Sequence, residues 1–374
     1  MASKPTVQLG EICKPQQWAT IGSNELTETG YRVHGANCFI GYYPKANHTR
    51  DVVAVSCRGE NTGNVIYIPG PSYVTGNAMC LDDLDESKAD ARWLCEFLKL
   101  RGLRDIISGS AQPQIIQKDL SRVKIPLPPL AEQSKIAEIL RTWDEAIETA
   151  EAELKAKQER KRWLMDKLLV GDWAVKKLDD LFELEGSGID KVILQGEQVV
   201  PLVNYMDAYR KRILEPSDIT AQTSVSPADL SRCKLQRGDI VLTPSSETPD
   251  DIAHSALIDF EPGDAVHSYH LFRLRARSNS AIIHDFRAFF LNHISVRKQF
   301  IRICSGTTRF TLTLPGVRGI KVSLPPAEHQ KYAAAVLGDA TSQESLASQR
   351  IETLRAQKRG LMQKLLTGEV RVAA

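Results

Sequence analysis

The chain has 374 residues, 42% of them apolar and 25% charged, with a formal net charge of +2. Such a composition fits an ordinary globular protein of roughly two domains. No run approaches the ~18 apolar residues of a membrane-spanning helix, and the seven cysteines, an odd count with no C-x-x-C pair, suit a reducing compartment. The first thirty residues lack a signal peptide's apolar core, so the expected compartment is the reducing cytoplasm. A charge this near zero neither requires nor excludes nucleic acid as a partner.

"VQLGEI" from Val7 opens a first segment. "DVVAV" (Asp51 to Val55) and "VIYI" (Val65 to Ile68) are β-rich and predict two strands around a polar loop, Ser56 to Asn64. "ADARWLCEFLKL" (Ala89 to Leu100) predicts a helix, and "SGSAQPQ" from Ser108 a turn. Pro126, Pro128 and Pro129 then hold the chain extended. Glu132 falls in the first turn of the next element, where a helix dipole favours an acid. The positions Ile136, Leu140, Trp143, Ile147, Ala150, Leu154, Lys157, Lys161, Leu164 and Leu168 follow in steps of four and three. That is a heptad seam, the mark of a helix that pairs with another helix, here over Leu130 to Val170 with Gly171 as its C′ stop. Lys161-Arg162 and, later, Lys358-Arg359 read either as helix-end charges that complement the dipole or as contacts to a partner subunit.

A second segment follows the same plan. "KKLDDL" from Lys176 opens it, "GDIVLT" (Gly238 to Thr243) precedes a polar loop "PSSETPDD", and "HLFRLRAR" alternates apolar residues with Arg273, Arg275 and Arg277. "DFRAFFLNHISVRKQF" (Asp285 to Phe300) predicts one helix, and "SGTTRFT" from Ser305 a turn. "LPPAEHQ" from Leu324 then matches "LPPLAEQ" from Leu127, and "MQKLLTG" from Met362 matches "MDKLLVG" from Met165, at one offset: 324 − 127 = 362 − 165 = 197. The seam recurs at Ala333, Leu337, Ala340, Glu344, Ala347, Ile351, Leu354, Lys358, Leu361 and Leu365, with Gly368 as the stop. This is an internal duplication. The expected organisation is 1–125 and 173–323 as globular α/β segments, and 126–172 and 324–374 as two spacer helices.

Each helix would be about 60 Å long. A parallel pair would make the intervening segment carry the chain back that distance, so the pair is expected to be antiparallel. The predicted fold is therefore α/β (α+β): two globular domains separated by a long antiparallel two-helix coiled coil, a pseudo-two-fold circular repeat. In that arrangement Val370 to Val372 pack on the first domain as Trp173 to Val175 pack on the second. Two alike frames holding different interiors suit the reading of two short elements at a fixed separation, and DNA half-sites about one turn apart have that scale.

"PLPPLAEQSKIAEIL" followed by a heptad helix ending "MDKLLVG", present twice and each time preceded by a variable segment, resembles the specificity subunit of a Type I restriction–modification system (HsdS) over essentially the whole chain. The second copy departs from the pattern, with His329 where the first has Glu132. The resemblance implies two target-recognition domains that bind a bipartite, asymmetric double-stranded DNA site. It also implies docking to two methyltransferase subunits and to restriction subunits, and a chain that is not itself catalytic. S-adenosylmethionine, ATP and magnesium would then sit on the partner subunits, with no cofactor on this chain.

Catalytic motifs agree: there is no phosphate-binding G-x-x-x-x-G-K-[ST] and no Asn or Asp before either Pro-Pro pair. Glu86-Ser87-Lys88 after Asp82 and Asp83 has the letters of a nuclease cluster but lies in a charged turn. His267 and His270 have metal-like spacing with nothing converging on them. The DNA-contact candidates are Arg58, Asn61, Thr62 and Asn64 in the first polar loop, Gln112 and Gln114 at the first turn, Ser245 and Ser246 in the second loop, Arg273, Arg275 and Arg277 on one strand face, and Thr308 and Arg309 at the second turn. For the loops the alternative is plain surface, for the arginines a solvated sheet face, and for the turns simple capping. For the whole chain the alternatives are a protein-binding helical scaffold without a DNA role and a standalone nuclease.

Overall fold

The structure is a computed structural model that describes residues 6–36, 38–109 and 112–372. Two long helices dominate it, Leu130–Leu168 and Ala327–Thr367. The chain divides into two compact units, and the division falls inside both helices: residues 1–152 with 348–374, and residues 153–347. Among the described residues no helix is long and apolar enough to cross a membrane.

Within each unit the helices run antiparallel. In the first, Arg355 meets Glu151 at 2.6 Å, Lys358 meets Asp144 at 2.6 Å, and Arg371 makes a two-bond pair with Glu132 at 2.7 Å, one number rising as the other falls. In the second, Lys161 meets Glu344 at 2.6 Å and His329 Nε2 lies 2.9 Å from the Leu168 carbonyl. The seam positions are all buried or half-buried in their own unit, with Leu140 and Leu337 fully enclosed. The reason is geometric: a four-three spacing keeps one narrow stripe on one side of a helix, and only another helix covers a stripe of that shape.

The same six helix positions enter both main cores. Ile136, Ala137, Leu140, Met362, Leu365 and Leu366 pack with the first unit's strands. Their counterparts at the offset of 197, Ala333, Ala334, Leu337, Met165, Leu168 and Leu169, do so in the second.

Of the four polar seam positions, Lys157 pairs with Glu153 of its own helix at 3.3 Å, and Lys161, Glu344 and Lys358 form ion pairs with residues of other elements. Lys161 is buried against Glu344, and Lys358 lies between Asp144 and Glu96, the latter at 3.4 Å. Burial, then the charge of Arg212, holds the Lys161 pKa below its ordinary value. The helix-end reading of Lys161 and Lys358 is thereby corrected, because they stand in the seam about two turns inside the helix ends, and only Arg162 and Arg359 are exposed. Such pairs contribute little net stability but fix register, since a slip would leave a charge buried and alone.

The strand plan is also duplicated. The first unit has a four-stranded antiparallel sheet in the order Lys14–Gln17, Ala78–Asp82, Val52–Ser56, Val65–Ile68. The second orders Phe182–Gly186, Phe272–Ala276, Ile240–Leu242 and Ser255–Ile258 likewise, and adds Ile213–Leu214 parallel at the edge. A three-stranded sheet accompanies each: Tyr31–His34 between antiparallel Phe39–Tyr43 and parallel Ser72–Val74, and Gln198–Val203 between antiparallel Ala221–Val225 and parallel Val266–His267. The expectation of unlike interiors holds for side chains and insertions, not for topology.

Each helix start is tied down by one buried glutamine. Gln133 Nε2 donates to the carbonyls of Lys88 and Pro128, both at 2.8 Å, and its Oε1 accepts from Asp90 N at 2.9 Å. Gln330, its counterpart, donates to Ala281 O at 2.9 Å and Pro325 O at 2.8 Å and accepts from Ile283 N at 2.9 Å. The residue before each glutamine joins the start of one helix to the end of the other. Glu132 takes Arg371, whereas His329 takes the Leu168 carbonyl and packs on Trp173 with ring centres 4.8 Å apart. The departure at His329 is thus a different solution to the same junction.

Two other expectations are corrected. The segment Asp285 to Phe300 is not one helix: 3-10 turns at Asp285–Ala288 and Phe290–Asn292 precede a helix Ile294–Ile303, because His293 is extended (ψ 144°) and caps it by accepting from Ser295 N. Gly171 is not a left-handed stop as Gly368 is (φ 74°); it lies three residues past the helix end, where an added Cβ would sit 2.5 Å from the Trp173 ring. At the other junction Val372 packs on the first unit's core while Val370 stays 44% exposed. The strand equivalent to Ala174–Lys177, which pairs with Lys321–Leu324, is Thr6–Gln8, which pairs with Lys124–Pro126.

Replacing Gln133 or Gln330 by Leu leaves three buried or part-buried backbone groups without that partner. We expect each change to lower the stability of its own unit by about 1–3 kcal/mol, read by urea unfolding with hydrogen exchange to assign the unit; unchanged stability would contradict a structural role for the glutamines.

Candidate functional site

In the first unit the strand Val52–Ser56 runs into the polar loop, and the loop meets the serine–glycine turn. Ser108 and Gln114 exchange backbone hydrogen bonds at 2.9 and 2.8 Å, Gly59 N donates to Pro113 O at 3.3 Å, Ile115 N donates to Cys57 O at 3.0 Å, and Arg58 bridges Gln114. The turn needs its glycine: Gly109 has φ 87°, and a Cβ there would lie 2.4 Å from Gln112 O. Arg58, Asn61, Gln112 and Gln114, from two distant segments, therefore share one exposed corner, with Asn64 exposed at the far end of the loop.

The second unit repeats the corner. Ser305 and Thr311 exchange hydrogen bonds at 3.0 and 2.8 Å, Leu312 N donates to Pro244 O at 2.7 Å, and Ser245 lies opposite Thr311 as Arg58 lies opposite Gln114. Gly306 has φ 143°, with a hypothetical Cβ 2.0 Å from Arg309 O. Thr308 and Arg309 are exposed at the tip. His270 and Tyr205 feel the Arg309 charge. Burial and then Arg309 lower the His270 pKa, while Tyr205 is raised by burial, with Arg309 acting the other way.

Several candidates occupy structural positions instead. The Thr62 hydroxyl faces the carbonyls of Gly59 at 2.6 Å and Pro113 at 3.1 Å, closing the loop. Ser245 and Ser246 are buried, and the Ser246 hydroxyl donates to Thr248 O. Arg273 is 5% exposed, donates to Arg232 O at 2.8 Å and Lys234 O at 3.1 Å, and pairs with Glu185. Arg275 makes a two-bond pair with Asp239 at 2.9 and 2.6 Å. Arg277 donates to Asp179 O at 2.9 Å and lies 3.5 Å from Glu183. Each arginine thus has an acid beside it: Glu185 for Arg273, Asp239 for Arg275 and Glu183 for Arg277.

A feature that sequence reasoning missed lies on the hairpin Tyr31–His34 and Phe39–Tyr43. Tyr31 and Phe39 are each 40% exposed and Ile40 42%, and Arg32 sits 5.0 Å above the Phe39 ring. The alternation of "YRVH" and "FIGYY" was the available signal.

Glu86-Ser87-Lys88 forms a turn in which Asp85 takes Lys88 at 2.8 Å and the Ser87 hydroxyl at 2.5 Å. Among the described residues His48, Cys80 and Asp82 are close enough to share a cation, their ligand atoms lying within 4.8 Å of one another. Asp82 is already satisfied there by Trp18 Nε1 and His48 Nε2, both at 2.8 Å. His267 is fully buried, with Nδ1 3.1 Å from Cys233 O.

The family model for the Type I restriction modification DNA specificity domain matches residues 3–158 and 171–356. The specificity subunit of the Type I restriction enzyme MjaVIII of Methanocaldococcus jannaschii is 24% identical over 355 residues, covering 84% of this chain and 78% of that protein. A putative MjaX specificity subunit of the same organism is 28% identical over 275 residues, covering 70% of this chain and 62% of that one. The fold is similar to a crystal structure of a Type I restriction–modification S subunit from M. genitalium, with TM-score 0.65 and 15% identity over 97% of this chain and 96% of that one. It is also similar to a chain from a structural study of complex assembly and conformational transition of the type I system, with TM-score 0.59 and 13% identity over 99% and 100% of the two chains. At these identities the likeness is one of fold.

Burial pushes the His267 pKa down to about 4 from 6.5. The folded state therefore prefers the neutral ring, and below pH 6.5 the unfolded chain binds the extra proton. The stabilising contribution is complete above pH 6.5 and is lost as pH falls toward 4. Relative to His267→Gln, the native protein should lose about 2 kcal/mol more unfolding free energy between pH 7.5 and pH 5 in urea titrations; equal losses would contradict a neutral buried ring.

Proposed function

Because the chain belongs to the family of Type I restriction–modification DNA specificity domains, we propose that it is the sequence-reading subunit of such a complex, each unit reading one half of a bipartite, asymmetric duplex site. What supports this most is the corner built twice on one backbone plan with different exposed side chains: Arg58, Asn61, Gln112 and Gln114 in one unit, Thr308 and Arg309 in the other. A fixed backbone with exchangeable tips suits base-edge recognition, in which Arg addresses guanine and Asn or Gln addresses adenine. Arg273, Arg275 and Arg277 are assigned to holding the second unit together. The exposed Arg32 and Phe39 pair adds a cationic and stacking contact beside the first corner's sheets.

In this reading the chain carries no catalytic step and holds no cofactor. It docks two methyltransferase subunits, which bring S-adenosylmethionine, and restriction subunits, which bring ATP and magnesium. Residues 1–125 and 173–323 act as recognition domains and 126–172 and 324–374 as the helical spacer.

The test is to reconstitute the chain with methyltransferase subunits and sequence the methylated DNA. Arg58→Ala or Gln114→Ala should relax one half of the recognised sequence, at about 1–3 kcal/mol of discrimination per lost base contact, and Arg309→Ala the other half only. Binding should weaken linearly in log–log form with salt. A protein-binding scaffold would show no such salt slope, and variants that relax both halves together would contradict separate reading units.

A further inference from the structure

The second unit holds a pocket of about 320 Å³ whose walls are cationic. Arg210, Lys211, Arg212 and Arg297 line it, and no carboxylate does. Part of this lining is already paired, and the acids that pair it stand outside the pocket. Asp218 takes Lys211 at 2.6 Å, Asp251 takes His254 at 2.8 Å and the Tyr209 hydroxyl at 3.2 Å, and Glu344 takes Lys161 at 2.6 Å.

Arg212 is half-buried, and among the described residues the one hydrogen-bond contact of its guanidinium is the Met165 sulfur at 4.0 Å. Arg297 is half-buried and donates to the Asp250 carbonyl at 2.7 Å, a neutral acceptor. Among the described residues Arg210 has no ion-pair partner. Burial lowers the Arg212 pKa first; Glu344 offsets part of that, and Arg297 adds to it. Burial likewise lowers Arg297, with the charges of Asp251 and Asp250 offsetting part of it. Two desolvated guanidiniums that repel each other around an empty space are an arrangement that an anion relieves. The Ser255 hydroxyl and the Asn292 amide, on the same wall, add neutral donors.

We propose that this pocket binds a phosphate-class oxyanion, gripped by Arg212 and Arg297, with Arg210 at the rim. Guanidinium forks match the oxygens of phosphate in pairs, which a point charge does not. The oxyanion has two possible sources, a backbone phosphodiester of duplex DNA or a free phosphate compound. Only the first rests on the proposed function.

The experiment uses the full chain. Inorganic phosphate, added against chloride at matched ionic strength, should raise the Tm, and Arg212→Met should weaken phosphate binding in calorimetry at least ten-fold. In phosphate-free buffer the Tm of Arg212→Met should equal or exceed the native value, because repulsion with Arg297 is removed; a variant that merely broke the fold would lower it. Arg297→Gln provides the same reading if Arg212→Met is insoluble. For the DNA source, the chain reconstituted with methyltransferase subunits is titrated with duplex across salt: a slope smaller by about one in Arg212→Met assigns the site to a backbone phosphate. An unchanged slope together with lost phosphate binding assigns it to a free phosphate compound. If the complex binds no DNA at all, the phosphate titration still decides. No phosphate-induced rise in the native chain, or a rise kept in both variants, overturns the proposal.

Discussion

The structure depends on one constraint: a helix with a single narrow apolar stripe has to be covered along its length, and this chain covers each stripe with a second copy of the same helix. Because the pair is antiparallel within each unit, the start of one helix always lies beside the end of the other. Each unit's core therefore contains Ile136 and Met362, or their counterparts Ala333 and Met165, and is completed by a stretch of chain from far away in sequence. The residues around Arg371 thus belong with residues 6–152, although the whole second unit separates them in sequence.

The helix clamps and the turn backbones are repeated, and the exposed corner tips are not. Gln133 and Gln330 make equivalent three-bond clamps, and the glycine turns at Gly109 and Gly306 close in the same way. Both depend on close backbone approach, so their chemistry has few substitutes. At the corner tips no packing limits the choice, and Gln112 and Gln114 give way to Arg309 and Thr311. A recognition protein needs that separation, since new specificity then costs little stability. The junction at Glu132 and His329 falls between these cases: an ion pair to Arg371 in one copy, an aromatic contact with Trp173 in the other.

The seam, the proline-led helix starts and the strands at Val52–Ser56 and Val65–Ile68 were legible in the sequence because their signals are local and periodic. The corner was half legible: the loop and turn residues could be named, but only folding shows that Arg58 meets Gln114. The ion pairs of Arg273 and Arg275 were not legible because their partners Glu185 and Asp239 lie on segments distant in sequence, and strand pairing, not composition, brings them together. Lys161 and Lys358 looked like helix-end charges because Glu344 and Asp144, which neutralise them, are likewise remote. The shared strand order was hidden because topology survives when most side chains and loop lengths change.

The repeat is circular: residues near both ends of the sequence complete one unit. A circular permutant tests it most directly. Ala374 is joined to Met1 through a flexible linker and the chain is opened after Gly171, the position that matches Gly368 at the offset of 197. A circular repeat gives a soluble permutant with the native urea midpoint that, with methyltransferase subunits, methylates the native sequence. A permutant that fails to fold with every linker length, or that folds but directs methylation to a different sequence, would contradict it.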